Sequence, residues 1–246
     1  MSNPTLAIIG FGQLGQLAAK HLAPHADVCA YDPADRSAAA NAMNIPLVPL
    51  PQAAAASIVV LAVPTQAMRA TLTALAPHLK EGALVADTCS VKTLPAQWML
   101  ELLPPHVDII ATHPLFGPQS AAEGITDLKV VTCPLRLPAA RYQRITHFLQ
   151  DTLKLLVIDT TPEAHDADMA YVQALTHLIG RALAGTTPPS TPLATQSYQQ
   201  LLNLCHLIEH DTEELFTALH TFNPQAAPVR QTFSNSLQAL LNKLGT

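Results

Sequence analysis

No apolar stretch in the 246 residues reaches the roughly 18–20 residues that cross a bilayer, so no spanning helix and no membrane partner are expected. No run rich in Lys or Arg occurs either. Thirteen basic residues stand against 18 acidic ones, for a formal net charge of −5, and nucleic acid is therefore not an expected partner. The opening MSNPTLAIIG lacks a charged segment and a small-residue cleavage site, so no secretory signal is read there. Cysteine is sparse: Cys29, Cys89, Cys133 and Cys205 are scattered and form no CxxC pair. That argues against a disulfide or zinc framework and suits a reduced, cytoplasmic setting. There is no internal repeat, and beyond residue 160 there is no convincing strand.

What is present points to two unlike halves. The length fits two modest domains, read as residues 1–160 and 161–246. Hydrophobic residues make up 49% of the chain, mostly Ala and Leu, enough for a core that favours helix. Continuous short apolar runs at 5–10, 28–31, 57–63, 83–88, 107–112, 128–133 and 153–159 read as buried parallel strands. Helix-like segments at 13–22, 65–79, 92–102 and 139–152 alternate with them. Alternating β and α elements predict an α/β, doubly wound parallel sheet. After Thr161-Pro162-Glu163, a proline-led helix start, a small all-helical domain is expected. Its helices fall at 162–184, 193–209, 211–221 and 224–244, with a Thr/Pro-rich connector at 185–192. So small a unit should bury apolar faces against the first domain or a second copy, and a homodimer through 161–246 is expected.

Gly10-Phe11-Gly12-Gln13-Leu14-Gly15 closes the first strand and opens the first helix. Gly10 permits the tight turn, Gly12 lets backbone approach a pyrophosphate, and Gly15 lets helix and sheet pack closely. The helix N-terminus offers unpaired N–H groups to phosphate. Asp32 ends the next strand, 20 positions after Gly12, where it can accept the adenosine ribose hydroxyls. That arrangement predicts a Rossmann domain and favours NAD. NADP stays possible, because Arg36 nearby could hold a 2′-phosphate.

Three more clusters carry chemistry. Asp87-Thr88-Cys89-Ser90-Val91-Lys92 and His113-Pro114-Leu115-Phe116-Gly117-Pro118 each follow a strand, where open α/β sheets bind ligands. His165-Asp166, Gln173, His177 and Arg181 fall on the long helix, the last three at successive i,i+4 positions. Each has a plainer reading: His113 as a strand-end histidine bonded to backbone, the helix histidines and Arg181 as core or surface residues.

GFGQLG, DTCSVK, HPLFGPQS and HDADMAYVQALTHLIGR together resemble the prephenate/arogenate dehydrogenases of tyrosine biosynthesis. PLATQSYQQLLNL and FTALHTFNPQA are most similar to the arogenate-using members, especially those of plants. The resemblance implies oxidative decarboxylation of a small-molecule cyclohexadienol, with hydride passing to a nicotinamide. It implies His113 as the base and Ser90 as the group orienting substrate hydroxyl and base. It places His165 near the cofactor–substrate cleft and His177 at the substrate pocket; helical spacing sets Gln173 and Arg181 one turn to either side of His177, with Arg181 a candidate partner for a substrate carboxylate. Lys92 is a further candidate cation.

The chain departs from the family at several positions. Gln199, or alternatively Gln200, stands where many prephenate-using members carry an arginine for the ring carboxylate, and Gln196 where plant members carry a lysine. Gln119 stands where an acidic residue commonly follows HPxFGP. These losses favour arogenate, whose side chain is zwitterionic, over the doubly anionic prephenate. Alternatives are a prephenate dehydrogenase, a dehydrogenase of another hydroxy acid or imine, and a catalytically silent NAD-binding regulator. His206 and His210 share i,i+4 spacing, but the segment reads as an amphipathic helix and no metal is expected.

Overall fold

A computed structural model describes residues 3–209 and 211–245. The chain divides into two compact units, Met1–Pro162 and Glu163–Thr246. Among the described residues no helix is long and apolar enough to cross a membrane.

Unit 1 is built on one sheet of seven strands. These are β1 (Thr5–Ile9), β2 (Asp27–Tyr31), β3 (Ile58–Leu61), β4 (Leu84–Asp87), β5 (Asp108–Pro114), β6 (Lys129–Arg136) and β7 (Leu156–Asp159), in the order β2-β1-β3-β4-β5-β6-β7. Helices α1 (Gln13–Leu22), α4 (Thr65–Leu75) and α5 (Thr93–Leu102) follow β1, β3 and β4 and form the crossovers that parallel neighbours need. On one face Ile9, Val59, Leu61, Val85 and Ile109 pack with Met68 and Leu72 of α4 and Met99 of α5. On the other, Leu6 and Ile8 pack with Ala19 of α1.

Two features correct the sequence reading. The sheet is not wholly parallel: β5 and β6 are antiparallel, with His113 opposite Val131. A parallel neighbour needs a crossover, usually helical. The connection from 115 to 128 forms only turns, with Gly124 at φ 129 and Asp127 at φ 61, and brings the chain straight back. In addition, two helices went unread between β2 and β3: α2 (Ser37–Met43) and α3 (Leu50–Ala54). They are too short to display a helical period, and Pro46, Pro49 and Pro51 break up the segment.

α6 (Ala139–His147) runs into a π turn at Phe148–Thr152, and α7 (Pro162–Met169) opens with proline at its first position. In unit 2 a second π turn (Ala170–Leu175) separates α7 from α8 (Thr176–Ala184). α9 (Gln196–Ile208), α10 (Glu213–Thr221) and α11 (Ala226–Leu244) complete the unit. Thr195 and Thr212 cap α9 and α10, each side-chain oxygen accepting a backbone N–H, from Tyr198 at 3.2 Å and Leu215 at 3.1 Å. Gly180 sits where α8 meets α9; a Cβ there would lie 2.7 Å from Ile208. The continuous helix expected over 162–184 is therefore interrupted. The wider π turn re-aims Gln173 relative to His177, so the two are not the plain i,i+4 neighbours that an α-helix would make them.

Candidate active site

The glycine loop is shaped by sterics. Gly10 has φ 94, and a Cβ on it would press into the Ala62 carbonyl. A Cβ on Gly15 would collide with the Gly10 carbonyl. Gly12 faces open space instead, with nothing within 4 Å of where its Cβ would be. It is also the N-cap of α1 and provides no side-chain cap, which leaves helix N–H groups available. Gln13 is exposed and Leu14 half-buried on the first turn. This cradle fits a pyrophosphate.

Asp32 lies at the end of β2 with its carboxylate turned back to the loop. One oxygen accepts the Phe11 N–H at 2.7 Å and, at 3.3 Å, the Arg36 Nε–H; the other accepts the Ala34 N–H at 2.9 Å. Each carboxylate oxygen can take two donors, so capacity remains for a ribose hydroxyl. Arg36 already leans on Asp32, its Nε 3.3 Å from the carboxylate.

The ends of β4 and β5 are locked by a buried ion pair. The Lys92 ammonium donates to Asp87 and, at 2.5 Å, to the Thr112 carbonyl, and both side chains are fully buried. Asp87 also accepts the N–H groups of Cys89 (2.9 Å) and Thr112 (3.1 Å), and the Thr112 hydroxyl donates to the Asp87 carbonyl. The loop carrying half-buried Ser90 is thereby fastened to the strand carrying buried His113. Lys92 is consumed in this network and is not placed to meet a substrate carboxylate, which removes it as a carboxylate clamp. Burial first, and then the Asp87 charge, push the Cys89 thiol up to about 12. It stays protonated at neutral pH and is no nucleophile. Gln119, in the turns after β5, is exposed.

A cavity of about 560 Å³ lies on the α1 side of the sheet, lined by Leu17, Val60, Leu84, Ile110, Thr112 and Phe148 among others. Its walls are overwhelmingly apolar, whereas a cofactor cradle needs convergent polar groups. Thr112 and Pro114 line it, so strand alternation turns His113 to the other face. The cavity is not the chemical centre.

In unit 2 His165 is buried, its Nδ1 2.8 Å from Asp166 Oδ1. Asn223 Nδ2 donates to the Asp166 carbonyl at 2.8 Å, tying α7 to the turn before α11. His177 Nδ1 approaches Asp211 Oδ2 at 3.1 Å, but the angle makes no hydrogen bond and the atom stays unsatisfied. Burial lowers the His177 pKa, Asp211 opposes the shift and Arg181 adds to it. Arg181 is spent within the unit: it pairs with Glu213, donates at 3.2 Å to the carbonyls of Asp211 and Thr212, and covers the Phe216 ring at 4.3 Å. To grip a substrate it would have to give up Glu213. Gln199 and Gln196 are exposed, and Gln199 donates to Asn203 at 3.2 Å. His206 lies 3.4 Å from Glu209, and His210 lies outside the described residues.

Residues absent from the sequence reading join this group. Arg230 of α11 donates at 2.9 Å to His220 Nδ1 of α10. His220 Nε2 and Gln173 Oε1 are buried without hydrogen-bond partners. No local pattern marks His220 and Arg230, because they sit on different helices and meet only on folding.

Sheet order, glycine loop and acidic strand end define a dinucleotide-binding Rossmann protein with an appended helical unit. The chain belongs to the prephenate dehydrogenase family: residues 17–153 match its nucleotide-binding domain, described as "Prephenate dehydrogenase, nucleotide-binding domain". Residues 182–246 match the "TYRAAT1-like, C-terminal domain". Arogenate dehydrogenase 2, chloroplastic, of Arabidopsis thaliana is 29% identical over 97% of this chain and 69% of its own length. Arogenate dehydrogenase 1, chloroplastic, of the same plant is 32% identical over 68% of this chain but only 27% of its own length. Prephenate dehydrogenase from A. aeolicus, solved with hydroxyphenyl propionate and NAD+, superposes with a TM-score of 0.79 at 20% identity, covering 99% of this chain and 91% of that one. That likeness is one of fold.

Proposed function

We propose that the protein oxidises and decarboxylates arogenate to tyrosine, with NAD as hydride acceptor. The observation that carries this reading is the fastening of the Ser90 loop to the His113 strand by the buried Asp87–Lys92 pair. It ties the loop of a candidate orienting hydroxyl to the strand of a candidate base, at the strand ends where open α/β sheets bind ligands. Two of the curated relatives matched are arogenate dehydrogenases, and others are a probable arogenate/prephenate dehydrogenase and a cyclohexadienyl dehydrogenase, which supports the shared oxidation here.

The glycine loop of residues 10–15 and Asp32 would hold a nicotinamide dinucleotide, which would supply the acceptor for the hydride of the ring's carbinol carbon. His113 takes the hydroxyl proton as that carbon becomes a carbonyl, a role suited to imidazole near neutral pH. Ser90 orients the hydroxyl toward the ring nitrogen. The pair released from the breaking bond to CO₂ flows through the ring onto the new carbonyl oxygen, which takes the proton back from His113 to give a phenol. Arg181, His165, His177 and Gln119 keep the substrate-binding roles proposed for each from the sequence, with Arg181 requiring release of Glu213.

Asp32 favours NAD, and Arg36 leaves NADP as a second acceptor. Prephenate is the second substrate reading, favoured only if a cation replaces the one lost at Gln199. A silent NAD-binding regulator finds support in the exposed Gln196 and Gln199 alone. Unit 2 pairs with a second copy: Leu237, Leu240 and Leu244 expose one stripe of α11, at 47%, 57% and 78%. A soluble monomer rarely leaves such a stripe bare.

The test is kcat/KM for arogenate and prephenate with each cofactor. Higher efficiency on arogenate with NAD is expected. Equal or better efficiency on prephenate removes the arogenate assignment, and no reduction with either substrate removes the dehydrogenase. Sedimentation at micromolar concentration is expected to give a dimer, and a monomer overturns the pairing.

A further inference from the structure

Unit 2 holds polar groups that its own fold leaves incomplete. The π turn carrying Gln173 packs on both α10 and α11. Gln173 Oε1 is a buried acceptor without a donor. Arginine is always a donor, so the 2.9 Å contact from Arg230 makes His220 Nδ1 an acceptor. The ring proton then sits on Nε2, which is a buried donor without an acceptor. A buried polar group left unpaired costs roughly 1–3 kcal/mol, so orphans gathered in one small unit call for an explanation.

The two cations singled out above are occupied. Lys92 is sealed against Asp87, and Arg181 is held by Glu213 and two carbonyls. Arg230 is half-buried and offers further guanidinium N–H groups beyond the one on His220. A ligand that satisfies this set must bring acceptors for His220 and Arg230 and a donor for Gln173. A carboxylate and an ammonium on one carbon bring both.

We propose that Arg230, His220 and Gln173 bind the α-amino-acid end of the substrate, the carboxylate on Arg230 and His220 Nε2–H and the ammonium on Gln173 Oε1. Burial first, and then the positive charges of Arg230, His177 and Arg181, hold the His220 pKa below its ordinary value. The ring therefore stays neutral at pH 7, and its one proton stays on Nε2. A keto acid satisfies the carboxylate side but leaves Gln173 facing another acceptor. The subsite thus selects an amino acid over its keto analogue, and recognition moves to α10 and α11 from the position of Gln199. The inference rests on the dehydrogenase reading for the identity of the substrate, but the binding it predicts needs no turnover.

L-tyrosine and 4-hydroxyphenylpyruvate, titrated calorimetrically into the full chain with NAD, test it. They differ only in the amino and keto groups. Tyrosine is expected to bind at least about tenfold more tightly than the keto acid. Arg230→Gln should weaken tyrosine binding about tenfold or more, with NAD binding within about twofold. Gln173→Met should erase most of the preference between the two ligands. Arg230→Lys, which keeps the charge, should recover part of the lost affinity and so separates recognition from misfolding. Equal affinity of the wild type for both ligands overturns the proposal, as does no detectable tyrosine binding or tyrosine affinity unchanged in Arg230→Gln and Gln173→Met. Turnover of arogenate with unchanged tyrosine binding in the variants sinks the subsite alone. Loss of tyrosine binding in the variants of a chain that oxidises neither substrate sinks the dehydrogenase reading alone.

Discussion

The strand ends of unit 1 and the helix cluster of unit 2 handle buried polarity in opposite ways. At the strand ends Asp87 meets Lys92 and two backbone N–H groups, Lys92 reaches a second carbonyl, and Asp32 accepts two backbone donors. That region is fastened by the chain itself. In unit 2, Gln173, His177 and His220 each keep a buried polar atom unsatisfied. One region is preorganised for chemistry, where a misplacement of an ångström is costly. The other keeps hydrogen-bonding capacity that a ligand completes, and such capacity carries selectivity because the wrong ligand leaves it unpaired.

The largest effect should come from the chemistry itself. His113→Asn is expected to lower turnover by roughly 10²–10⁴, with NAD affinity and folding nearly intact. Stopped-flow reduction of NAD and calorimetric cofactor titration measure the two halves, and near wild-type turnover removes His113 from the base role.

The next effect separates fastening from catalysis. Lys92→Met strands the Asp87 carboxylate in the core and should cost about 3–5 kcal/mol of stability. Replacing both, Asp87→Leu with Lys92→Met, should cost less than the single change, because no charge is left uncompensated. Urea melts decide, and a single variant within about 1 kcal/mol of wild type shows that the pair fastens nothing.

A smaller effect concerns the cofactor. kcat/KM with NAD should exceed that with NADP by about tenfold, roughly 1.4 kcal/mol, and Asp32→Ala should narrow the gap. A preference for NADP that disappears in Arg36→Ala transfers the selection to Arg36.

The smallest effect is the acid response of unit 2. Burial holds His177 and His220 below their ordinary pKa in the folded chain, so the unfolded chain binds more protons below pH 6.5. Their contribution to stability is full above about pH 6.5 and is lost as pH falls through the lower folded values. Denaturation midpoints should drop between pH 7.5 and 5.5, and the drop should shallow in His177→Gln. An unchanged slope in that variant assigns the acid sensitivity to other groups.

All seven strands and the first helix were readable, because the strands write short continuous apolar runs, even in β7 where Leu156 and Ile158 end up exposed, and α1 follows directly from the glycine loop. The direction of β6 was not readable. An apolar run carries no sign of its orientation, and only the turns of 115–128 reverse the chain. The stripe 173–177–181 was drawn on an ideal helix, and the π turn at Ala170–Leu175 could not be seen from periodicity. The Lys92 motif was visible as a spacing, yet whether its ammonium faced substrate or core depended on packing.

By itself the sequence determined the Rossmann sheet, the phosphate loop and the positions of Asp32, Ser90 and His113. These depend on short-range rules: which residue tolerates φ 94 at Gly10, which helix start follows it, which residue ends a strand. Tertiary structure alone decided that Lys92 is a buried tie and that Arg181 is held by Glu213. It alone paired Arg230 with His220, from separate helices. Charge in a sequence has no address: its partner is set by which elements pack together, and burial then decides whether the charge holds the fold or meets a ligand.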